Sequence, residues 1–223
     1  MVRGMQIGAL FDWDGVIIDS SAQHEESWER LALEERRPLP ADHFKRGFGM
    51  KNEVIIPDVL GWSVDAAELR RMSLRKEAIY REVVAERGIE PLAGVRTFLE
   101  RLRAAGVPCA IASSTHRANI DLSLGRMGLE GCFARIVSAE DVAHGKPHPE
   151  PYEKAAQMLG CDPRRCVVFE DALMGIDSGL AAGAKVVAVT TTNPRDVLAA
   201  SGAHRVVDRL DELHAVDLVT LVG

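Results

Sequence analysis

The spacing of apolar positions changes twice along this chain. Residues Ile7 to Phe11 form a short unalternating apolar run, expected for a strand buried on both faces, and the run stops at Asp12 and Asp14. From Ser20 to about Arg87, apolar residues recur at spacings of three and four among charges. This predicts helices over Ala22 to Arg36, Ala41 to Phe48, Asn52 to Leu60 and Asp65 to Arg87, punctuated by Pro38, Pro40, Pro57 and Gly61. No convincing strand is expected in this block.

After Pro91 helices and strands alternate. Helices are predicted over Val95 to Ala105, Arg117 to Met127, Pro149 to Leu159 and Ala172 to Ala182. Strands are predicted over Pro108 to Ala112, Ala134 to Ser138, Cys166 to Phe169 and Lys185 to Val189, with a weak last pair around His204 to Val207. Repeated βα units of this length imply an α/β fold, a doubly wound parallel sheet with helices on both faces. The expected architecture is a core of residues 1–19 plus 90–223, with a four-helix cap domain inserted over 20–89.

In such sheets ligands bind beyond the carboxyl ends of the strands. That rule selects Asp12 and Asp14 after the first strand, Ser113, Ser114 and Thr115 after the second, Lys146 after the third, and Glu170 and Asp171 after the fourth. Four chain-distant segments therefore bring carboxylates, hydroxyls and one ammonium to one edge.

Composition sharpens this picture. With 223 residues the chain can bury a sizeable core without staples, and 47% hydrophobic with 27% charged residues describes an ordinary globular protein. The 27 Lys and Arg against 33 Asp and Glu give a net charge of −6, which offers no electrostatic footprint for nucleic acid or an anionic membrane. An anionic substrate must then be held by local cations, amides or metal. Cys109, Cys132, Cys161 and Cys166 form no CxxC pair and lie in or near apolar segments, as buried thiols of a reducing compartment do. No run approaches the ~18 apolar residues of a membrane span, and acids arrive before a signal-peptide cleavage pattern develops. The expectation is a cytoplasmic protein, a monomer or weak homo-oligomer, acting on a small molecule.

Several carboxylates converging without a cation would repel one another and raise their pKa values. A divalent metal resolves this, and an all-oxygen donor set suits Mg²⁺. One carboxylate could then attack phosphorus, and a second, two residues on, could act as general acid and base. Each piece also has a plainer role: Asp12 or Asp14 as a turn cap, Ser114 and Thr115 as caps of the Arg117 helix, Glu170 and Asp171 as acids of the Ala172 helix, and Lys146 as a solvated loop lysine. Their joint occurrence after successive strands favours a site.

These residues carry a family resemblance. Asp12-Trp-Asp14-Gly with its apolar strand resembles the first motif of the haloacid dehalogenase superfamily. Ile-Ala-Ser113-Ser resembles the second, Gly-Lys146-Pro-His-Pro-Glu-Pro the third, and Phe-Glu170-Asp171-Ala-Leu-Met-Gly175 the fourth. The chain is most similar to the branch of β-phosphoglucomutase-like enzymes and small-metabolite phosphatases, whose cap is helical. The resemblance implies Asp12 as nucleophile forming an aspartyl-phosphate, and Asp14 as acid/base. It implies Mg²⁺ held by Asp12, the Asp14 main-chain carbonyl and Asp171, with Glu170 direct or through water, and phosphoryl oxygens held by Ser113 and Lys146.

The choice of reaction rests on other positions. Asp14 disfavours the dehalogenase and phosphonate-cleaving members, which lack an aspartate there, and leaves phosphate-monoester hydrolysis or intramolecular phosphate transfer. Mutases of this branch hold the non-reacting phosphate with a cap arginine, where this chain carries Met50 and Lys51, and the core loop has Thr115, His116 and Arg117. These departures tilt the reading toward a phosphatase. A hexose phosphate mutase and a catalytically idle binding domain are the alternatives. His24, Lys51, Lys76, Ser114, Thr115 and Arg117 are the candidate substrate contacts. The stretches Gly-Met-Lys-Asn-Glu and Arg-Lys-Glu-Ala-Ile-Tyr80-Arg-Glu resemble phosphatases of a ribitylamino-uracil phosphate from the riboflavin pathway, and sugar phosphates are the other expected substrates. Hinges near Asp19 to Ser21 and Gly88 to Gly94 are expected to let the cap close.

Overall fold

The computed structural model describes residues 7–47 and 50–223. Phe48, the expected end of the second helix, and the first six residues lie outside that description. Six strands form one parallel sheet: β1 (Gly8–Phe11), β2 (Cys109–Ala112), β3 (Arg135–Val137), β4 (Cys166–Glu170), β5 (Lys185–Val189) and β6 (Arg205–Val207). Their order is β3-β2-β1-β4-β5-β6. The chain therefore winds outward one way from β1 to β3, then returns to β1's other side with β4. This reversal opens a crevice at the carboxyl end of β1, where Asp12 follows.

Why β1 is central follows from its side chains. Ala9, Leu10 and Phe11 are wholly buried. Leu10 joins Ala110, Ala112, Val168 and Val186 in one cluster, completed by Tyr152, Ala155 and Ala156 of α7 (Glu150–Leu159) and Ile176 of α8 (Leu173–Ala181). Phe11 stacks on Phe169 at 4.6 Å and meets Phe98 and Phe133 edge-on. The remaining core helices are α5 (Val95–Ala104), α6 (Arg117–Met127), α9 (Arg195–Ala199) and α10 (Ala215–Val222). The two last were not expected: α9 is barely longer than a turn, and the β-branched residues of Ala-Val-Asp-Leu-Val-Thr-Leu-Val resemble a strand as readily as a helix.

The chain divides into two compact units, one made of the segment up to Asp19 with Ile89–Gly223, the other of Ser20–Gly88. The second is entirely helical among its described residues: α1 (Ser21–Glu35), α2 (His43–Gly47), α3 (Asn52–Val54) running into a π-turn (Ile55–Val59), and α4 (Ala66–Arg87). Trp28, Leu31, Ile56, Trp62, Met72, Ile79 and Val83 pack as its core. Asp65 caps α4 by accepting from the N–H groups of Ala67 and Glu68, and Arg36 ends α1 in the left-handed region at φ 52°. The helix expected over Asn52 to Leu60 is α-helical for three residues only. Pro57 has no N–H to continue the ladder, and the Leu60 N–H reaches Ile55, five residues back, at 3.0 Å.

Candidate active site

Sheet geometry brings the acids together from two adjacent strands. β1 and β4 pair in register, Phe11 opposite Phe169, and the Asp12 N–H donates to the Phe169 carbonyl at 3.0 Å. Asp12, Glu170 and Asp171 consequently share one pocket, their ligand oxygens within 4.8 Å of one another. Glu170 is the last residue of β4 rather than the first of the loop, since its backbone still pairs with Ala188.

Lys146 enters this group from the loop after β3. Its ammonium donates to Asp12 Oδ1 at 2.6 Å and to Glu170 Oε1 at 2.7 Å. Tyr152 of α7 donates its hydroxyl to the same Glu170 oxygen at 2.6 Å, and Lys146 Nζ lies 5.0 Å from the Tyr152 ring centroid. The other Glu170 oxygen accepts from the N–H groups of Asp171 and Ala172 at 3.0 and 3.2 Å. Glu170 thus braces the turn that leads into α8 as well as holding Lys146, while the helix N-cap, Ala172, carries no side-chain cap. Asp171 is fixed by the Thr192 hydroxyl, and Asn193 donates to its carbonyl at 2.8 Å.

Two glycines make room for these carboxylates. A Cβ at Gly175 would lie 1.8 Å from Glu170 Oε1, and one at Gly15, where φ is +82°, would lie 2.0 Å from Asp171 Oδ2. Both contacts are impossible, so the motif glycines are steric requirements of the acids they face.

Asp14 and the second loop form the other half of the site. Thr115 donates its hydroxyl to Asp14 Oδ2 at 2.6 Å. Ser113 is buried at the end of β2, and its hydroxyl oxygen accepts the Thr115 N–H at 2.9 Å. Ser114 beside it is exposed. Neither Ser114 nor Thr115 caps α6: the Arg117 N–H instead donates to both carboxylate oxygens of Glu140. The Arg117 side chain is exposed and pairs with Asp121 one turn on, a contact separate from the carboxylate group.

The electrostatics show what the group lacks. Burial, with the neighbouring charges of Glu170 and Asp171, holds the Asp12 carboxyl well above the ordinary carboxylate range despite Lys146. Burial and Glu170 push Asp171 up to about 7. Burial opposes the charge of Lys146, yet Asp12 and Glu170 outweigh it and hold its pKa above the ordinary lysine value. Three carboxylates facing one ammonium remain short of positive charge, and their donors are all hard oxygens. The residues fit a divalent cation of the Mg²⁺ class.

Sequence reasoning missed Tyr152, Thr192 and Asn193. Tyr152 sits on the apolar face of α7 and reads as core. Thr192 and Asn193 follow β5, where the carboxyl-end rule extended one strand further would have found them.

In the helical unit, His24 and Lys76 are brought together. Lys76 Nζ lies 2.6 Å from His24 Nδ1 and 3.1 Å from Glu77 Oε1, and His24 stacks on Tyr80 at 4.2 Å. Lys51 is exposed at the start of α3.

Residues 8–183 match the family model of the haloacid dehalogenase-like hydrolases. The chain is 39% identical over 218 residues to the chloroplastic 5-amino-6-(5-phospho-D-ribitylamino)uracil phosphatase of Arabidopsis thaliana, covering 96% of this chain and 57% of that protein. It therefore spans little more than half of that relative. With hexitol phosphatase A of Escherichia coli it shares 33% identity over 193 residues, 82% of each chain. A crystal structure of a HAD hydrolase, family IA, variant 3, from Entamoeba histolytica superposes with a TM-score of 0.87 at 28% identity, covering 97% of this chain and 99% of that one. With β1, its acids and the Lys146 loop all inside the matched span, the chain belongs to the haloacid dehalogenase-like hydrolase family.

Proposed function

We propose that this chain is a Mg²⁺-dependent phosphatase of small phosphorylated metabolites that works through an aspartyl-phosphate on Asp12. The observation that carries the reading is the group of Asp12, Glu170 and Asp171 around a single ammonium, Lys146. Such a group is short of positive charge until it meets a cation and a phosphoryl substrate.

In the first step an Asp12 carboxylate oxygen forms a bond to phosphorus while the ester P–O bond breaks, and the leaving oxygen takes a proton from Asp14. The Thr115 hydroxyl, 2.6 Å from Asp14 Oδ2, orients that carboxyl. In the second step Asp14 takes a proton from water, whose oxygen attacks phosphorus and returns Asp12 as a carboxylate. Ser113 and Lys146 hold the phosphoryl oxygens and compensate their charge. Bound by Asp12, Asp171 and the Asp14 carbonyl, with Glu170 direct or through water, Mg²⁺ would supply further positive charge against those oxygens. Lys146, donating to Asp12 Oδ1 at 2.6 Å, favours the ionised carboxyl that a nucleophile must present, against the burial that raises its pKa, and a bound cation would add to that effect.

The substrate class is supported by the names of the relatives. A ribitylamino-uracil phosphate and a hexitol phosphate share a phosphorylated open-chain polyol. We therefore favour a polyol phosphate, the ribitylamino-uracil compound first, with His24, Lys51 and Lys76 as the residues of the helical unit that influence the choice.

The test is phosphate release from ribitylamino-uracil phosphate, sorbitol 6-phosphate, ribitol 5-phosphate and glucose 6-phosphate. Turnover that depends on Asp12, with the polyol phosphates preferred, is expected. Undiminished turnover in Asp12→Asn overturns the mechanism. Conversion of β-glucose 1-phosphate to the 6-phosphate, faster than hydrolysis, would make the chain a mutase, and no turnover at all would return the idle binding domain.

A further inference from the structure

A second group of metal-ligating side chains lies on the loop that carries Lys146. His144, His148 and Glu150 bring one ligand atom each within 4.8 Å of one another. The two imidazole rings are 4.6 Å apart, and His144 Nδ1 lies 3.0 Å from Glu150 Oε2. Both histidines are exposed, so an ion from solvent reaches them without opening the fold.

The donor chemistry differs from that of the acid group. Two imidazoles and one carboxylate suit a borderline ion such as Zn²⁺, Ni²⁺ or Cu²⁺, whereas the oxygen-only pocket of Asp12, Glu170 and Asp171 suits Mg²⁺. Three protein ligands with water in the remaining positions make a complete open site.

The group is also held in place. Glu150 accepts from the N–H groups of Ala143 and His144 at 2.8 and 2.9 Å, which fixes its carboxylate against the loop. The His148 ring accepts the Glu150 N–H at 3.2 Å, and its carbonyl accepts the Ser178 hydroxyl of α8 at 2.7 Å. Orienting contacts of this kind tune metal ligands. His144 and His148 flank Lys146 by two residues on each side.

We propose that His144, His148 and Glu150 form a surface site for a divalent ion of the zinc, nickel and copper class, and that the ion braces the loop presenting Lys146. The ion joins residues on both sides of Lys146 and ties them to the start of α7. Its effect falls on loop motion, and the acid group is left intact.

Titration of the full chain with Ni²⁺ by calorimetry, in excess Mg²⁺ to keep the acid group filled, tests the site. One equivalent is expected to bind, with affinity at least ten-fold lower in His144→Ala and in His148→Ala and unchanged in Asp171→Asn. Absence of binding, wild-type affinity in both histidine variants, or loss in Asp171→Asn overturns the site. For the bracing, amide hydrogen exchange over residues 143–149 is expected to slow at least three-fold on adding Ni²⁺ to wild type and not to His148→Ala. Unchanged exchange in wild type refutes it. Cu²⁺ broadening of the His144 and His148 ring protons gives a readout that needs no variant; sharp lines at both would count against the site.

Discussion

Two largely enclosed lysines in this molecule each meet carboxylates and aromatic rings, one at the sheet edge and one in the helical unit. Lys146, at the carboxyl edge of the sheet, donates to Asp12 and Glu170 and lies beside the Tyr152 ring. Lys76, in the helical unit, is 3% exposed, contacts Glu77 and His24, and lies 5.5 and 5.7 Å from the Trp28 and Tyr80 ring centroids. What marks Lys146 is the number of carboxylates drawn together beside it. Lys76 meets the Glu77 carboxylate, which Asn52 also satisfies at 2.7 Å, and a neutral His24. Around Lys146 three carboxylates face one ammonium. A group of carboxylates that outnumber their ammonium invites a cation and a phosphoryl group. Burial of a lysine is thus no sign of a site; the excess of unpaired charge around it is.

The sharpest way to break this comparison is at the nucleophile. Asp12→Asn should lower phosphate release by on the order of 10³-fold or more, about 4 kcal/mol of transition-state stabilisation, with the melting temperature held or raised because a repelling charge is gone. Steady-state phosphate assays and thermal melts of one preparation read both.

Lys146→Met leaves Asp12 and Glu170 buried without their ammonium. Destabilisation of about 3–5 kcal/mol is expected in metal-free buffer, partly recovered by Mg²⁺, in denaturant titrations. The matching change, Lys76→Met, should cost less and show no Mg²⁺ recovery; equal recovery in both variants would erase the distinction drawn here.

Gly175→Ala forces Glu170 to move, since the new Cβ would lie 1.8 Å from its carboxylate. A loss of about 1–3 kcal/mol is expected, the range of over-packed interiors, measurable by the denaturation midpoint.

In the helical unit the expected effect is on pH dependence. Burial first, and then the Lys76 charge, lower the His24 pKa to about 3, so between that value and 6.5 the unfolded chain binds the proton that the folded one refuses. Stability therefore falls as pH drops below 6.5. From pH 7.5 to 5 the loss attributable to His24 is about 1–2 kcal/mol, reduced because the ring keeps some exposure. Denaturant melts at the two pH values should show it in wild type and not in His24→Phe.

The smallest effect is expected at the exposed ion pairs of Arg75 with Glu34 and Glu82. Arg75→Ala should change stability by less than about 1 kcal/mol. A larger loss would show that surface charge, and not only the buried group, stabilises the helical unit.

By itself the sequence determined the parallel sheet, the helical insertion and the positions that could carry chemistry. Those features depend on period and order: Ile7 to Phe11 stops at Asp12, the acids Glu170 and Asp171 end a later apolar run, and residues just beyond parallel strands share an edge whatever the details of packing. Short, weakly patterned elements escaped, as α9 and α10 did, because a few residues carry too little periodicity. Tertiary structure alone decided which polar groups became partners. Tyr152 reads as a core aromatic and turned out to hold Glu170, while Thr192 reached Asp171 across the sheet edge. Arg117, a candidate for substrate, turned toward Asp121 in its own helix. The physical reason is range: spacing reports what a residue's neighbours in the chain impose, whereas charge balance, steric room at Gly15 and Gly175, and contacts between distant segments exist only after the chain has closed.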